Sequence, residues 1–137
     1  MGKRRSGRDL AFRLLFQADV GKTSIYEVFQ SSREGSEATD EVWDFATELA
    51  RGTWNACHEL DPIIVRYAAG WTLSRMANAD RNLLRLAIYE ILYCEDIPQS
   101  VSINEAVELA KKYSTADSAK FINGILGSFA REREAKA

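Results

Sequence analysis

Hydrophobic residues recur about every 3.6 positions in each long segment of the chain, and the strict alternation typical of strands is never sustained. This spacing places the apolar side chains on one face of a helix. Only two prolines and eight glycines interrupt it. The pattern therefore predicts an all-α protein of about seven helices, folded as a single domain over residues 1–137.

Polar residues in front of the first apolar stretches indicate where helices begin. Ser6 is a candidate N-cap for a first helix that ends near Gly21. Gly7 should weaken the first turn of that helix by up to ~1 kcal/mol relative to alanine. Ser24 is a candidate cap for a short second helix through Phe29, and a polar loop follows it.

The middle of the chain predicts a long helix followed by a proline-initiated one. A long helix begins at Thr39 or Asp40, and its apolar stripe continues at helical spacing as far as Leu60. Asp61 and Pro62 then have the order of an N-cap and a first-turn proline. We therefore expect one helix to end and the next to begin at this pair.

Three helices are expected in the second half. Asn78 precedes the most apolar segment, LLRLAIYEILYC, which predicts the central helix of the core. Ser102 and Glu105 have the spacing of a capping box in front of the next helix. A last helix should run from about Ala116 to Glu132, with residues 133–137 as a frayed charged tail.

The composition excludes several classes of protein. Hydrophobic residues make up 46% and charged residues 28% of the chain, as in ordinary globular proteins rather than disordered ones. The longest apolar run is interrupted by Arg85 and Glu90 and is too short to cross a bilayer. The basic start is not followed by the apolar stretch of a secretory signal. A cytoplasmic location is the simplest expectation.

The residue types that carry catalysis are sparse. His58 is the only histidine, and Cys57 and Cys94 lack the paired spacing of zinc ligands. Adjacent helix positions point about 100° apart, so His58 and Cys57 are poorly placed to act together. No phosphate-binding or hydrolase motif is present. We therefore expect no catalytic residue, metal site or cofactor.

A basic segment, residues 1–8, leads directly into the first helix. It contains Lys3, Arg4, Arg5 and Arg8, four cations within six positions, although the whole chain has a formal net charge of −2. Such a run is often only solvated. Because the cations continue into a rigid helix, contact with RNA phosphates is the alternative that we favour.

A second candidate cluster lies on the last helix. On a helical wheel Asp117 and Lys120 point away from the apolar face, and Phe121 lies at its rim. An aromatic ring beside a lysine can stack on an unpaired base while the lysine binds a phosphate. Packing of Phe121 against a neighbouring helix is equally compatible with this pattern.

Three stretches together resemble the NusB family of bacterial transcription antitermination factors. They are RRSGRDLAFRLLFQ in the first helix, DRNLLRLAIYEIL in the central helix, and IPQSVSINEAVELAKKYSTADSAKFINGIL near the end. The resemblance spans most of the chain and is weakest between Gly21 and Leu60. It implies an all-α fold of two three-helix subdomains packed roughly perpendicular to each other.

The resemblance also implies a function in transcription antitermination and its regulation. Family members bind a single-stranded leader element, boxA, together with ribosomal protein S10 (NusE), and act with RNA polymerase and other Nus factors on ribosomal RNA operons without catalysing a reaction. Asp80 falls where the family directs an acidic residue toward the ribosomal-protein partner. The residues that match the family's RNA-binding positions are Lys3, Arg4, Arg5, Arg8, Asp117, Lys120 and Phe121.

Two alternatives remain open at this point. A related domain occurs fused to RNA cytosine methyltransferases, but this chain lacks the residues of a cofactor-binding domain. The broad apolar helices are also compatible with a helical protein–protein interaction or dimerisation module, a homodimer included, that has no RNA specificity of its own. In that case charge reversal at Arg4 and Arg5 should leave function intact.

Overall fold

Residues 2–136, the part of the chain that the computed structural model describes, form seven α-helices and one short 3-10 helix, with no strand. The prediction of an all-α fold is confirmed. Met1 and Ala137, the two ends of the expected single domain, lie outside the described residues. The helices are α1 (Lys3–Gly21), α2 (Ile25–Ser32), α3 (Asp40–Asn55), α4 (Cys57–Tyr67), the 3-10 helix (Leu73–Arg75), α5 (Asn78–Tyr93), α6 (Gln99–Tyr113) and α7 (Ala116–Lys136).

The chain divides into two compact units between Asn55 and Ala56. The first unit contains α1, α2 and α3, each of which contacts the other two. The second contains α4 to α7 and the 3-10 helix, one α-helix more than the three that the resemblance implied. Within the described residues no helix is both long and apolar enough to span a membrane.

The first unit is built on the apolar face of α1. Burying one large aliphatic or aromatic side chain stabilises a fold by roughly 1.5–3 kcal/mol. Gly7 is itself buried, because α3 approaches α1 closely there: a Cβ at Gly7 would lie 2.3 Å from Cδ2 of Phe45. The buried apolar residues of α1 are Leu10, Ala11, Phe12, Leu14, Leu15 and Ala18.

Helix α5 lies at the centre of the second unit, as the sequence predicted, and contacts α4, α6 and α7. Its buried carboxylate, Glu90, is only 1% exposed and accepts a hydrogen bond from Oγ of Ser102 on α6 at 3.1 Å. This hydrogen bond reduces the cost of burying a polar side chain. The buried apolar residues of α5 are Leu83, Leu84, Leu86, Ala87, Ile88 and Ile91.

The first two predicted caps have different outcomes. Ser24 accepts a hydrogen bond from the backbone N–H of Tyr26 at 3.1 Å and caps α2 as predicted. The cap at Ser6 is wrong, because α1 begins at Lys3 and the N–H of Ser6 donates to the carbonyl of Gly2. The early start makes the basic residues helical.

The predicted boundary at Asp61 and Pro62 is also wrong. Helix α3 ends at Asn55 and α4 begins at Cys57, so both residues lie inside α4. Asp61 does not cap a helix; its carboxylate accepts two hydrogen bonds from Arg85 on α5, at 2.7 and 2.9 Å. The local pattern assigned Asp61 to a helix cap, but in the folded protein Asp61 forms an ion pair with Arg85 of another helix.

Two further boundaries differ from the predictions. Helix α6 begins at Gln99, so Ser102 is an interior residue that bonds to Glu90 rather than one half of a capping box. Helix α7 continues through Lys136, whose ammonium pairs with Glu132 four residues earlier, so residues 133–136 are helical and fraying of this tail stays a prediction. The last residue of the expected tail lies outside the described residues.

Candidate nucleic-acid interface

The first turn of α1 concentrates positive charge at a helix N-terminus. Lys3, Arg4 and Arg5 are exposed, and no acidic residue lies in this turn. Gly2, at the N-cap, supplies no side-chain hydrogen bond. Since the first backbone N–H groups lack intrahelical acceptors and the macrodipole is positive here, the cations and the helix end attract anions together.

Lys3 forms an ion pair with Glu41 in the first turn of α3. Their side chains are 67% and 68% exposed, respectively. A pair this exposed adds at most about 1 kcal/mol to stability and is screened by salt. A phosphate can therefore replace the carboxylate of Glu41 at little cost.

Arg8, predicted with these cations as a phosphate contact, is only 3% exposed. Together with Gly7, Asp9 and Leu10 it forms a stretch of α1 that is buried at every position. The Arg8 side chain is therefore buried, and its contact with a phosphate stays a prediction. Lys3, Arg4 and Arg5 are the exposed cations of this segment.

The second predicted cluster lies at the start of α7, in the other unit. Asp117 and Lys120 are exposed, and Phe121 is half-buried. The ring of Phe121 packs edge-to-face against Trp71, with centroids 6.2 Å apart and planes at 69°. Trp71 does not lie in a helix, so this contact differs from the packing against a neighbouring helix that was the alternative for Phe121, and the indole is half exposed.

Trp71 is the residue of this cluster that the sequence reasoning missed. It lies just before the 3-10 helix, in the segment WTLSRMANAD that connects α4 to α5. The available signal was a tryptophan in a mostly polar connecting segment, where a large apolar side chain has no expected place in a core. Its proximity to Phe121 depends on the tertiary fold.

Asp117 lies in the first turn of α7, where the helix dipole favours a negative charge. A carboxylate cannot bind a phosphate, but it can accept hydrogen bonds from base amino groups. Asp117 therefore suits contact with the edge of a base, and Lys120 suits contact with the backbone of a nucleic acid.

Asp80, expected to face a protein partner, is 7% exposed. One carboxylate oxygen accepts from Oγ of Ser114 at 3.1 Å and the other from Oγ of Ser118 at 2.9 Å. These serines flank the connection from α6 to α7. The Asp80 carboxylate therefore joins α5 to that connection, and its contact with a protein partner stays a prediction.

The predicted RNA-binding residues thus form two groups, each brought together within its own unit. Lys3, Arg4 and Arg5 share the first turn of α1, and Asp117, Lys120 and Phe121 share the start of α7. In residues 2–136 there is no group of three or more His, Cys, Asp or Glu side chains arranged to hold a metal ion.

Comparison with known proteins places this fold in a family. The model of the NusB family matches residues 5–131. The transcription antitermination protein NusB of Symbiobacterium thermophilum is 46% identical over 136 residues, which cover 93% of this chain and 89% of that protein. The chain belongs to the NusB family. The expectation from the three sequence stretches is therefore confirmed.

Solved NusB structures have the same fold. T. maritima NusB superimposes with a TM-score of 0.85 at 35% identity, covering 96% of this chain and 92% of the other. A NusB crystallised with NusE and double-stranded RNA gives a TM-score of 0.84 at 25% identity, covering 96% and 98% of the two chains. The NusB fold therefore extends over nearly all of this chain.

Proposed function

We propose that this protein is a transcription antitermination factor that binds boxA-type single-stranded RNA together with the ribosomal protein NusE. In this role it supports processive transcription of ribosomal RNA operons in the bacterial cytoplasm, through RNA polymerase and other Nus factors. The observation that carries the proposal is the likeness, over 96% of the chain, to a NusB solved in complex with NusE and RNA. Relatives named as antitermination proteins support it.

The start of α1 gives this proposal a physical basis. Each exposed cation at the positive end of a helix dipole costs up to about 1 kcal/mol of helix stability. Lys3, Arg4 and Arg5 all occupy that end, the turn itself contains no acidic residue, and Lys3 pairs with Glu41 of α3. A phosphate backbone bound there turns this unfavourable arrangement into a favourable one.

The overall charge argues for binding assisted by a partner. The chain has a net charge of −2, so attraction to RNA must come from local groups of cations rather than from the chain as a whole. Four exposed cations, Lys3, Arg4, Arg5 and Lys120, would neutralise about four phosphates. For a single strand this corresponds to a slope of log K against log salt of about −3. RNA affinity should therefore be weak at physiological salt until NusE adds contacts.

The test is RNA affinity measured for a boxA-like strand and a scrambled strand, with and without NusE, at several salt concentrations. We expect selective binding that tightens when NusE is present. Because the chain is not proposed to catalyse a reaction, the RNA should be recovered unaltered. Equal affinity for both strands in every condition would contradict the proposal.

A charge-reversed variant locates the contact. Arg4→Glu/Arg5→Glu should weaken binding and make the salt slope shallower by about 1.4, which corresponds to two lost phosphate contacts. The matched control is Lys22→Glu/Arg51→Glu, with the same charge change at exposed positions of the first unit. Lys22 follows the opposite end of α1, and Arg51 lies about 15 Å along α3 from Glu41 at about 1.5 Å per residue. An equal effect of both variants would indicate only net charge.

The interaction-module alternative retains one supporting observation. Phe16 and Val20, one helical turn apart on α1, are 36% and 49% exposed. Exposed apolar side chains at this spacing suit contact with another protein. If Arg4→Glu/Arg5→Glu binds RNA as the wild type does and self-association depends on Phe16, the interaction module replaces the RNA-binding proposal.

A further inference from the structure

Trp71 is a large apolar side chain with an unusually high exposure to solvent. It is 50% exposed, and it shares the highest exposure among the large exposed hydrophobic side chains of the described chain with Tyr93. The hydroxyl of Tyr93 is engaged, since it donates to the carboxylate of Glu59 at 2.6 Å. The indole of Trp71 packs against Phe121 and is half exposed to solvent. An apolar ring of this size kept half exposed suggests a surface for a ligand.

The backbone in front of Trp71 holds it in this position. Ala69 and Gly70 both have positive φ, +47° and +92°, after α4 ends. The N–H of Trp71 donates to the carbonyl of Ala68 at 3.0 Å, which closes the turn, and Ala68 is buried. A non-glycine residue rarely adopts positive φ, and such strain persists only where surrounding structure enforces it. The turn directs the chain so that the indole lies against α7.

The charges beside the ring pair favour a nucleic acid. Lys120 immediately precedes Phe121 and is exposed, and Arg75, four residues after Trp71, is exposed as well. Asp117 is the exposed acidic residue one turn before Phe121. Aromatic rings combined with cations for the backbone and a carboxylate for a base edge are the elements that hold single-stranded RNA.

We propose that Trp71 stacks on an unpaired base of the bound RNA and that Phe121 is the side chain that positions it. The exposed indole offers the larger free surface, whereas Phe121 is half-buried and supports it from the side. Because the two rings are inclined at 69°, a base stacked on the indole cannot also lie parallel to Phe121. The indole therefore accommodates one splayed base, an arrangement that a continuous duplex does not provide. This inference rests on the function proposed above.

The first measurement is affinity for the boxA-like strand in the presence of NusE. Trp71→Ala should bind about 5- to 150-fold more weakly, the range found when one stacked base loses its aromatic partner. Trp71→Phe should retain most of the affinity, because a smaller aromatic face remains. Tyr93→Ala removes an equally exposed aromatic ring and should bind as the wild type does. Helical content and NusE affinity, measured on each variant, show whether it is folded.

The second measurement reports stacking directly. The chain has three tryptophans, and Trp43→Phe/Trp54→Phe leaves Trp71 as the single indole. Its fluorescence should be quenched on addition of the boxA-like strand, with a midpoint that follows the binding curve. This signal separates a stacked ring from one that only supports the fold.

The outcomes distinguish this inference from the function on which it rests. If the wild type binds the strand selectively but Trp71→Ala binds it equally well, or the single indole is not quenched, the assignment of Trp71 is overturned while the proposed function stands. If Trp71→Ala loses NusE and keeps RNA affinity, the ring belongs to a protein contact and the inference is overturned. A wild type that binds neither strand overturns both.

Discussion

Gly7 is the residue on which the approach of α3 to α1 depends. A Cβ there would lie 2.3 Å from Cδ2 and 3.0 Å from Cε2 of Phe45, closer than nonbonded carbon atoms pack. From the sequence, Gly7 appeared only to weaken the first turn. The structure shows that its missing side chain makes room for the ring of Phe45 behind the exposed cations of α1.

Replacing Gly7 with alanine should therefore destabilise the protein, although alanine is the better helix former. We expect Gly7→Ala to lower the free energy of unfolding by about 1–2 kcal/mol, because overpacking outweighs the gain in propensity. The control is Gly124→Ala, whose added Cβ meets no atom within 4 Å and which should gain up to about 1 kcal/mol. Chemical denaturation measures both. If Gly7→Ala stabilised the protein as much as Gly124→Ala, the ring of Phe45 would have moved aside without loss of stability, and this expectation would be wrong.

Glu132 connects α7 to α4 within the second unit. Its carboxylate accepts hydrogen bonds from Arg66 at 2.6 Å, from the hydroxyl of Tyr67, and from Lys136 at 3.0 Å. The hydrogen bond from Tyr67, and then that from Lys136, lowers the pKa of Glu132 below its ordinary 4.5. The hydrogen bond between Tyr67 and Glu132 also raises the pKa of Tyr67 above its ordinary 10.0.

The lowered pKa of Glu132 predicts the pH dependence of stability. A carboxyl with a depressed pKa contributes stability that is fully present above the unfolded value and is lost as pH falls through the folded value. Stability from this contact should therefore decline below about pH 4.5. Glu132→Gln should be less stable than the wild type at neutral pH and should lose less stability on acidification. Thermal unfolding, followed from neutral pH to below about pH 4.5, measures the stability of both proteins. Glu95→Gln, in an exposed turn, is the control. If the stability of the wild type and that of Glu132→Gln fell equally as the pH was lowered, this role of Glu132 would be contradicted.

At the scale of elements, the ion pair between α4 and α5 determines where α4 lies in the second unit. Arg85 binds both carboxylate oxygens of Asp61 through Nε and Nη2, and the two side chains are 14% and 24% exposed. Two-pronged pairs of this kind fix orientation as well as distance. Pro62 removes one backbone donor from α4, and the neighbouring side-chain pair helps to hold the interrupted helix.

Breaking this pair should cost more than breaking an exposed one. We expect Asp61→Asn to lower the free energy of unfolding by about 1–3 kcal/mol, between the values for surface and fully buried pairs. Asp40→Asn, which disrupts the pair of a 90% exposed carboxylate with Arg33, should cost less than about 1 kcal/mol. A double-mutant cycle of Asp61→Asn with Arg85→Met measures the coupling. Equal effects of the two asparagine substitutions would refute the structural role of the Arg85 contact.

At the scale of the whole molecule, the proposed RNA contacts are divided between two units. The first supplies Lys3, Arg4 and Arg5, and the second supplies Lys120 with the Trp71 and Phe121 rings. Contacts this few leave much of the binding energy to a partner that touches the same RNA. Binding of NusE and RNA should therefore be coupled.

Coupled binding must be reciprocal. We expect NusE to tighten RNA binding by about 5- to 150-fold, and RNA to tighten NusE binding by the same factor. Calorimetric titrations in both orders measure the two factors at one salt concentration. Arg4→Glu/Arg5→Glu should reduce both RNA affinity and the effect of RNA on NusE, while leaving NusE affinity in the absence of RNA unchanged. RNA affinity that is the same with and without NusE would exclude coupling.

By itself, the sequence determined the helical fold and the location of its charge. The 3.6-residue period placed α5 in the core, and the run from Lys3 to Arg8 identified the basic start of α1. The three stretches that match NusB indicated the family. These features are local in the chain, since periodicity, charge order and short motifs do not depend on which distant residues come into contact.

The tertiary structure alone decided the boundaries and the surroundings of the site residues. Asp61 has the local pattern of a cap but bonds to Arg85, and Ser102 has that of a capping box but bonds to buried Glu90. Burial removed Arg8 from the exposed cations, and folding brought Trp71, fifty positions earlier in the chain, against Phe121. A polar or aromatic side chain bonds to or packs against whichever residues the folded helices bring near it. No local sequence pattern encodes which residues those are.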